Sequence, residues 1–365
     1  MNARLTVLAA ALAASPTLWA ATSNVDVYGV VNVGVQPTYA TYSAASTLGS
    51  NSYFGSSFVP QLDITSTPGA TAQISGTDFL ASARTSLGSN HALASASSLP
   101  TDTLSVASFS GWYDQVTING GTGTGTLQFN VNLTGNVTVG AQIGIVGYGL
   151  LASSVHPAEL ADTLNIVDTS GLATQPWALY SNQISEITHY DIVASPYNDP
   201  NQIAGLFVSP ATANPGEGIP AIPAPSDQPG VDFGAGLAAY VPSLILTPGA
   251  NQPVNVTLTG TLEFTYGEAF YLISTLGATV FDLNAFQPFC AFEPCPELPV
   301  ADGSGPTTLD FSNSAHLVSI VLPEGASFSS ASGAAYNVST VPEPGEWLML
   351  LAGLGLIGWR IRRRA

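Results

Sequence analysis

Leu127-Gln128-Phe129-Asn130-Val131-Asn132-Leu133-Thr134 carries an apolar side chain at every odd position and a polar one at every even position. Successive side chains of an extended chain point to opposite faces, so this alternation predicts a strand with one face on a core and one in water. The pattern returns as Val254, Val256 and Leu258 between Asn255, Thr257 and Thr259, and continues through Leu262, Phe264 and Tyr266. Both stretches hold a Gly-Thr-Leu-x-Phe core, Gly125 to Phe129 and Gly260 to Phe264, which reads either as a weak internal repeat or as one strand pattern used twice. Tyr28 to Val35, Gly144 to Leu151, Tyr240 to Leu246 and Leu317 to Leu322 are further strand candidates. Thr134-Gly135-Asn136, Thr259-Gly260 and the glycine-rich run Gly120 to Gly125 have the composition of hairpin turns. One short helix is expected over Pro157 to Leu164, proline being well tolerated at a first helical position. With 36 Gly and 26 Pro punctuating 365 residues, the expected class is all-β: an antiparallel β-sandwich, one large or two small, followed by a C-terminal hydrophobic helix.

Residues 209–229 are dense in Pro, Gly, Ala and Ser and read as a long surface loop or linker. It separates an N-terminal β region, 21–208, from a C-terminal one, 230–340, or interrupts a single sandwich. Residues 39–58, rich in Ser, Tyr and Gly, read as a mobile loop or an irregular edge.

Hydrophobic residues make up 45% of the chain and charged ones only 8%, which excludes a disordered polyampholyte. There is no Lys, and the basic residues are Arg4, Arg84, Arg360, Arg362, Arg363 and Arg364. Between the terminal segments Arg84 stands alone against 22 acidic residues, the 24 of the chain less Glu343 and Glu346. Nucleic-acid binding needs Lys and Arg to displace the counterions of phosphates, so it is excluded as a function class.

Both ends read as addresses. Residues 1–20, Met-Asn-Ala-Arg-Leu through Leu18-Trp19-Ala20, have the positive start, short apolar run and small terminal residue of a secretory signal peptide, with cleavage expected after Ala20. At the other end, Val341-Pro342-Glu343-Pro344-Gly345 is a rigid non-helical turn, because each proline fixes its own φ and biases its predecessor to extended geometry. An apolar stretch follows, with Trp347, Leu348, Leu350, Leu351, Leu354, Leu356 and Trp359, and then the cluster Arg360, Arg362, Arg363, Arg364. As a helix the stretch would be about 20 Å long, short of the ~30 Å hydrocarbon core, so flanking residues and bilayer thinning must cover the difference. The two Trp suit the membrane interfaces, and the Arg cluster is expected to stay cytoplasmic.

Pro342-Glu343-Pro344, an apolar helix and an Arg-rich end, in that order over 341–365, closely resemble the PEP-CTERM sorting signal. The resemblance implies an exosortase-type membrane protease as partner, transient inner-membrane insertion followed by removal of the tail, and a source among Gram-negative bacteria that make extracellular polysaccharide. Asp310 to Leu317 and Ile320 to Gly333 also look like the final strands found ahead of this tail. An ordinary uncleaved C-terminal anchor is the other reading of the same residues.

Cys290 and Cys295, in Cys-Ala-Phe-Glu-Pro-Cys, are the only cysteines and are expected to form a disulfide in an exported protein. His189-Tyr190-Asp191 would place two ligand-type side chains on one strand face, and His156 could meet Glu159, but neither set is complete, and no metal site is assigned. Calcium is chemically reasonable for an acidic exported protein, with loop residues Asn198, Asp199, Asp227 and Asp232 available, although no calcium-loop motif occurs. There is no G-x-S-x-G and no phosphate-cradling loop, so no catalytic residue is assigned. Trp112-Tyr113 and Trp177 to Tyr180 are either sugar-stacking aromatics or core. No cofactor is expected. The expected function is that of an exported, non-enzymatic cell-surface or extracellular-matrix protein, associated with exopolysaccharide as in a biofilm. The alternative is a secreted hydrolase acting on polysaccharide or protein through an unrecognised site.

Overall fold

The computed structural model describes residues 24–35, 40–47, 50–54, 61–65, 69–97, 103–157, 184–199, 243–281, 301–334 and 336–340. These residues form β1 (Val25–Val35), β2 (Ala40–Thr47), β3 (Ser50–Phe54), β4 (Gln61–Thr65), β5 (Ala70–Ser75), β6 (Phe79–Ser86), β7 (Ser89–Ala96), β8 (Thr103–Asn119) and β9 (Thr124–Val139). They continue with β10 (Ile143–Ser153), β11 (Ile184–Ala194), β12 (Leu244–Leu246), β13 (Gly249–Thr265), β14 (Ala269–Phe281), β15 (Thr307–Leu322), β16 (Ser327–Ser330) and β17 (Val338–Thr340).

Two sheets result. One runs β12-β11-β10-β14-β8-β1-β2-β3 with β16 attached to β8; the other runs β13-β9-β15-β7-β6-β5-β4 with β17 attached to β15. They pack face to face around one core, with β1 over β5 and β6, β8 over β6 and β7, and β11 over β13. This is a sandwich, as the alternating stretches predict. Strands from before and after residues 209–229 are interleaved in both sheets, and β13 pairs with β9 along nearly its whole length. The candidate edge at 39–58 forms β2 and β3, the end of the first sheet.

Leu127, Phe129, Val131 and Leu133 of β9 are buried, and burying each contributes about 1.5–3 kcal/mol. The two Gly-Thr-Leu-x-Phe segments lie antiparallel to each other, with Leu127 opposite Leu262, Gly125 opposite Phe264 and Phe129 opposite Gly260. Gly125 thus leaves room for the Phe264 ring.

Three expected turns are corrected. Thr134-Gly135-Asn136 lies inside β9 and Thr259-Gly260 inside β13. Their glycines serve close packing instead: a Cβ on Gly135 would meet the Phe311 ring at 2.6 Å, and one on Gly260 would meet the Ile187 carbonyl oxygen at 2.1 Å. The run from Gly120 carries the chain from β8 in one sheet to β9 in the other, so it is a corner between layers and not a hairpin. Beyond Pro157 the expected helix lies outside the described residues, as do the signal peptide, the linker 209–229, the tail helix and both cysteines.

The layers are close together over β5, β6 and β7, whose inward side chains are mostly alanine (Ala70, Ala72, Ala81, Ala83, Ala92, Ala94 and Ala96), with Ile74, Thr85 and Asn90 among them. Opposite them Gly29 of β1 sits so near that a Cβ there would lie 3.3 Å from the Ala83 carbonyl oxygen. A polar seam crosses the interior beside this thin region. Thr85 Oγ1 donates to Asn90 Oδ1 at 3.0 Å, Asn90 Nδ2 donates to Ser274 Oγ at 2.8 Å, and Ser274 Oγ donates to the Tyr148 hydroxyl at 3.2 Å. The seam joins β6 and β7 of one sheet to β14 and β10 of the other, which fixes how the layers register. Asn90→Ala is expected to remove the donor to the Ser274 hydroxyl, while Thr85 keeps the Ser89 and Gly111 carbonyls as acceptors, and to cost about 2 kcal/mol. Urea unfolding should show a lower midpoint with an unchanged slope.

Candidate functional site

The C-terminal segment finishes one corner of the sandwich before the chain enters the tail. Beyond Val25, β1 no longer pairs with β8, and β16 takes over that lane, Ser327 opposite Asn119 and Ser330 opposite Val116. Beyond His316, β7 no longer pairs with β15, and β17 takes over there, running parallel to β15 with Val338 beside Ile320 and Thr340 beside Leu322. Residues 331–337 therefore cross from one sheet to the other.

Asp114 holds that crossing. It lies on the core-facing side of β8 between Trp112 and Val116 and is fully buried, at 0% exposure. Its carboxylate accepts hydrogen bonds from the Ser332 backbone N–H at 3.2 Å, from the Ser332 hydroxyl and from the Tyr336 hydroxyl at 2.9 Å. Burial, and then the adjacent Asp114 charge, push the Tyr336 hydroxyl pKa well up, so it remains a donor. The Tyr336 ring stacks on Trp112 at 5.8 Å and meets Phe328 edge-on at 5.7 Å. Ala331 N–H donates to Gln115 O at 2.8 Å, and Ile320 N–H to Asn337 O at 2.9 Å. A cleft of about 270 Å³ lies beside the crossing, lined by Leu322, Phe328, Tyr336 and Val338 among others. With its oxygens engaged and no exposure, Asp114 is an anchor, not a base poised for substrate.

Asp114 went unassigned in the sequence reading. A signal exists: an isolated carboxylate within the strongly apolar run Gly111-Trp112-Tyr113-Asp114-Gln115-Val116 is buried unless the strand is exposed, and a buried carboxylate needs donors.

The structure places the other candidates as follows. Trp112 and Tyr113 are each 1% exposed, which corrects the sugar-stacking option: Trp112 belongs to the core, and Tyr113 packs on the outer face of its sheet against His156 and Tyr271. His156 sits edge-on between those two rings, 5.5 and 5.1 Å from them. Glu159 and Trp177 to Tyr180 are outside the described residues. His189 and Asp191 share the outer face of β11, Asp191 nearly buried, and burial lowers the His189 pKa. Among the described residues, no group of three His, Cys, Asp or Glu side chains could hold a metal. Of the calcium candidates, Asn198 donates its backbone N–H to Asp302 Oδ2 at 2.9 Å, and Asp227 and Asp232 are outside the described residues. Arg84, the lone cation of the body, is exposed, and its Nη2 lies 3.3 and 3.4 Å from the two ring nitrogens of His91. His91 Nδ1–H donates to Ser312 O at 2.6 Å, and burial lowers the pKa of this histidine.

β17 ends at Thr340, two residues before Pro342. Pro342, Glu343, Pro344, the apolar stretch and the Arg cluster are outside the described residues. Among the described residues no helix is long and apolar enough to cross a membrane. Residues 340–364 match the family model of the PEP-CTERM protein-sorting motif. No curated protein and no solved structure matches the chain. The chain carries this sorting motif, the mark of an exported protein sorted by its C-terminal tail, and such proteins are processed by exosortase, a membrane protease.

Proposed function

We propose that this carrier of a PEP-CTERM motif is a non-enzymatic surface or matrix protein, delivered outside the cell and associated with exopolysaccharide. The observation that carries the reading is the motif match beginning at Thr340, the last residue of the last strand. The chain passes from folded sandwich to sorting tail with nothing between. The body suits a passive extracellular part. Its polar groups are spent on holding the layers together, as in the Thr85-Asn90-Ser274-Tyr148 seam and around Asp114. The outward positions of β9 and β13 are rich in Thr, Asn and Gln, such as Gln128, Asn130, Thr257 and Thr259, whose side chains can hydrogen-bond neutral sugar hydroxyls without charge.

The test has two readouts on protein recovered from the producing cell's surface or medium. Intact mass is expected to correspond to a species beginning near Ala21 and ending near Pro342, two hydrogens lighter than after reduction if Cys290 and Cys295 are joined. Co-sedimentation with the producer's own polysaccharide is expected as well. A recovered species still ending in Arg362-Arg363-Arg364-Ala365 would leave an uncleaved anchor in its place. Processed protein that ignores the polysaccharide would remove the matrix role while leaving the sorting intact.

A further inference from the structure

The strand register fixes which end of the sandwich points along the exit of the chain. β17 runs parallel to β15 and stops level with Leu322, so the tail leaves in the direction in which β15 is travelling. On the neighbouring β9, Gln128 is opposite Val321, and β9 runs the other way, so Thr124 to Thr126 extend beyond β15 on the exit side. β13 follows β9 to the same level, with Thr265 opposite Thr124.

Three turns cap this end, and they are tied together. Tyr266 N–H donates to Gly123 O at 3.0 Å, and Gly267 N–H to Ile118 O at 2.8 Å. Gly120, at φ +97°, lies so close to Gly325 that a Cβ would meet its carbonyl oxygen at 2.2 Å. Among the described residues this end includes the linked turns 120–123, 266–268 and 323–326, and residues 154–157 after β10 lie on the same side. It projects past Thr340 by at least three strand residues, about 10 Å at 3.4 Å each.

The tether is short. Six residues, 341–346, separate Thr340 from the apolar stretch that opens at Trp347. Fully extended they span at most about 20 Å. Subtracting the projection of the turns leaves about 10 Å between their tips and the level at which the chain enters the bilayer, a gap comparable to the lipid headgroup layer.

We infer that while the tail is attached, the end formed by the 120–123, 266–268 and 323–326 turns faces the lipid headgroups of the inner membrane at near contact, with the opposite end pointing away. This rests on the tail being a membrane-inserted sorting signal. The composition of the end suits close approach without insertion. Gly120, Gly121, Thr122 and Gly123 are exposed and small, while Glu268 and Glu324 are exposed carboxylates. None of these three turns holds a Lys or Arg that would pair with anionic lipid.

The full-length chain is to be reconstituted into phosphatidylcholine–phosphatidylglycerol vesicles that carry an acceptor dye at headgroup level. A donor fluorophore is introduced as an unnatural amino acid either at Thr122 or at Ala250, which lies exposed at the far end of β13. Energy transfer is expected to be at least about twofold stronger from position 122, because the two ends are separated by about 50 Å of strand. Equal transfer, or stronger transfer from position 250, in chains that float with the vesicles would overturn the orientation and leave membrane insertion standing. Chains that fail to float would overturn the insertion reading and this orientation with it.

Discussion

Asp114→Ala is expected to cost about 3–4 kcal/mol of stability and to free the C-terminal crossing from the body. The carboxylate receives the Ser332 amide, the Ser332 hydroxyl and the Tyr336 hydroxyl, all within a buried corner. Hydrogen bonds to a charged acceptor are worth roughly 1.5–3 kcal/mol each. The total falls short of three full bonds because residues 331–337 can lift away and hydrate their donors. That relief has its own consequence: lifting the crossing unpairs β16 from β8 and β17 from β15, and uncovers Trp112 and Phe328. The melting midpoint should fall on the order of 10 °C. Chymotrypsin should cut at Phe328 or Tyr336 in the variant under conditions that leave the parent intact. Tyr336→Phe keeps the stack on Trp112 and loses one hydrogen bond to the carboxylate, so it should cost only about 1.5–2 kcal/mol and leave the segment protected. If both variants behave alike, the aromatic stack and not the carboxylate is what holds the corner.

The contrast between these strands and those at 70–96 shows what a sequence can display. β9 and β13 are legible because Leu, Phe and Val alternate with Asn, Gln and Thr, and a period of two is unmistakable when the inward residues are large. β5, β6 and β7 alternate just as regularly in burial, but mostly with alanine inward, which gives little contrast in hydrophobicity, and with Leu80 and Leu93 among the outward residues. At Ala83 a small side chain fits because Gly29 of the opposing sheet comes so close. That information belongs to the facing strand, far away in the chain.

Glycine misleads for a related reason. At Gly135 and Gly260 its presence reports a phenyl ring and a carbonyl passing over the strand, from β15 and β11, and local sequence does not distinguish this from a turn. β10 is the opposite case. Gly144 to Leu151 is apolar at nearly every position, and all of β10 is buried, as a strand covered on both faces must be. At the site, the tail was readable because its information is local and ordered along the chain. The Asp114 anchor was not, because its donors lie some 220 residues away, as the 218- and 222-residue separations to Ser332 and Tyr336 show.

Replacing Pro342, Glu343 and Pro344 together by alanine is expected to abolish processing and to keep the full-length chain in the membrane fraction. The residues immediately before Pro342 are committed to the sandwich, since Val338, Ser339 and Thr340 are hydrogen-bonded along β15. A protease active site at the membrane therefore has only the few residues before Trp347 in which to take hold of an extended chain. Pro342 and Pro344 hold that stretch extended at no cost on binding, because their φ angles are already set and helix is disfavoured at Val341 and Glu343. With three alanines the apolar helix can propagate backward toward Thr340, alanine being the best helix former, and the same peptide bonds disappear into hydrogen-bonded helix. The expected outcome is a species of full mass that sediments with membranes and is extracted by detergent, while the parent is recovered outside the cell without its tail. The body should fold identically in both, since its last strand ends before the substitutions, and unfolding midpoints in detergent should agree. If the alanine variant is still trimmed and released, the three residues are not what the protease reads, and recognition lies in the apolar stretch or the Arg cluster beyond.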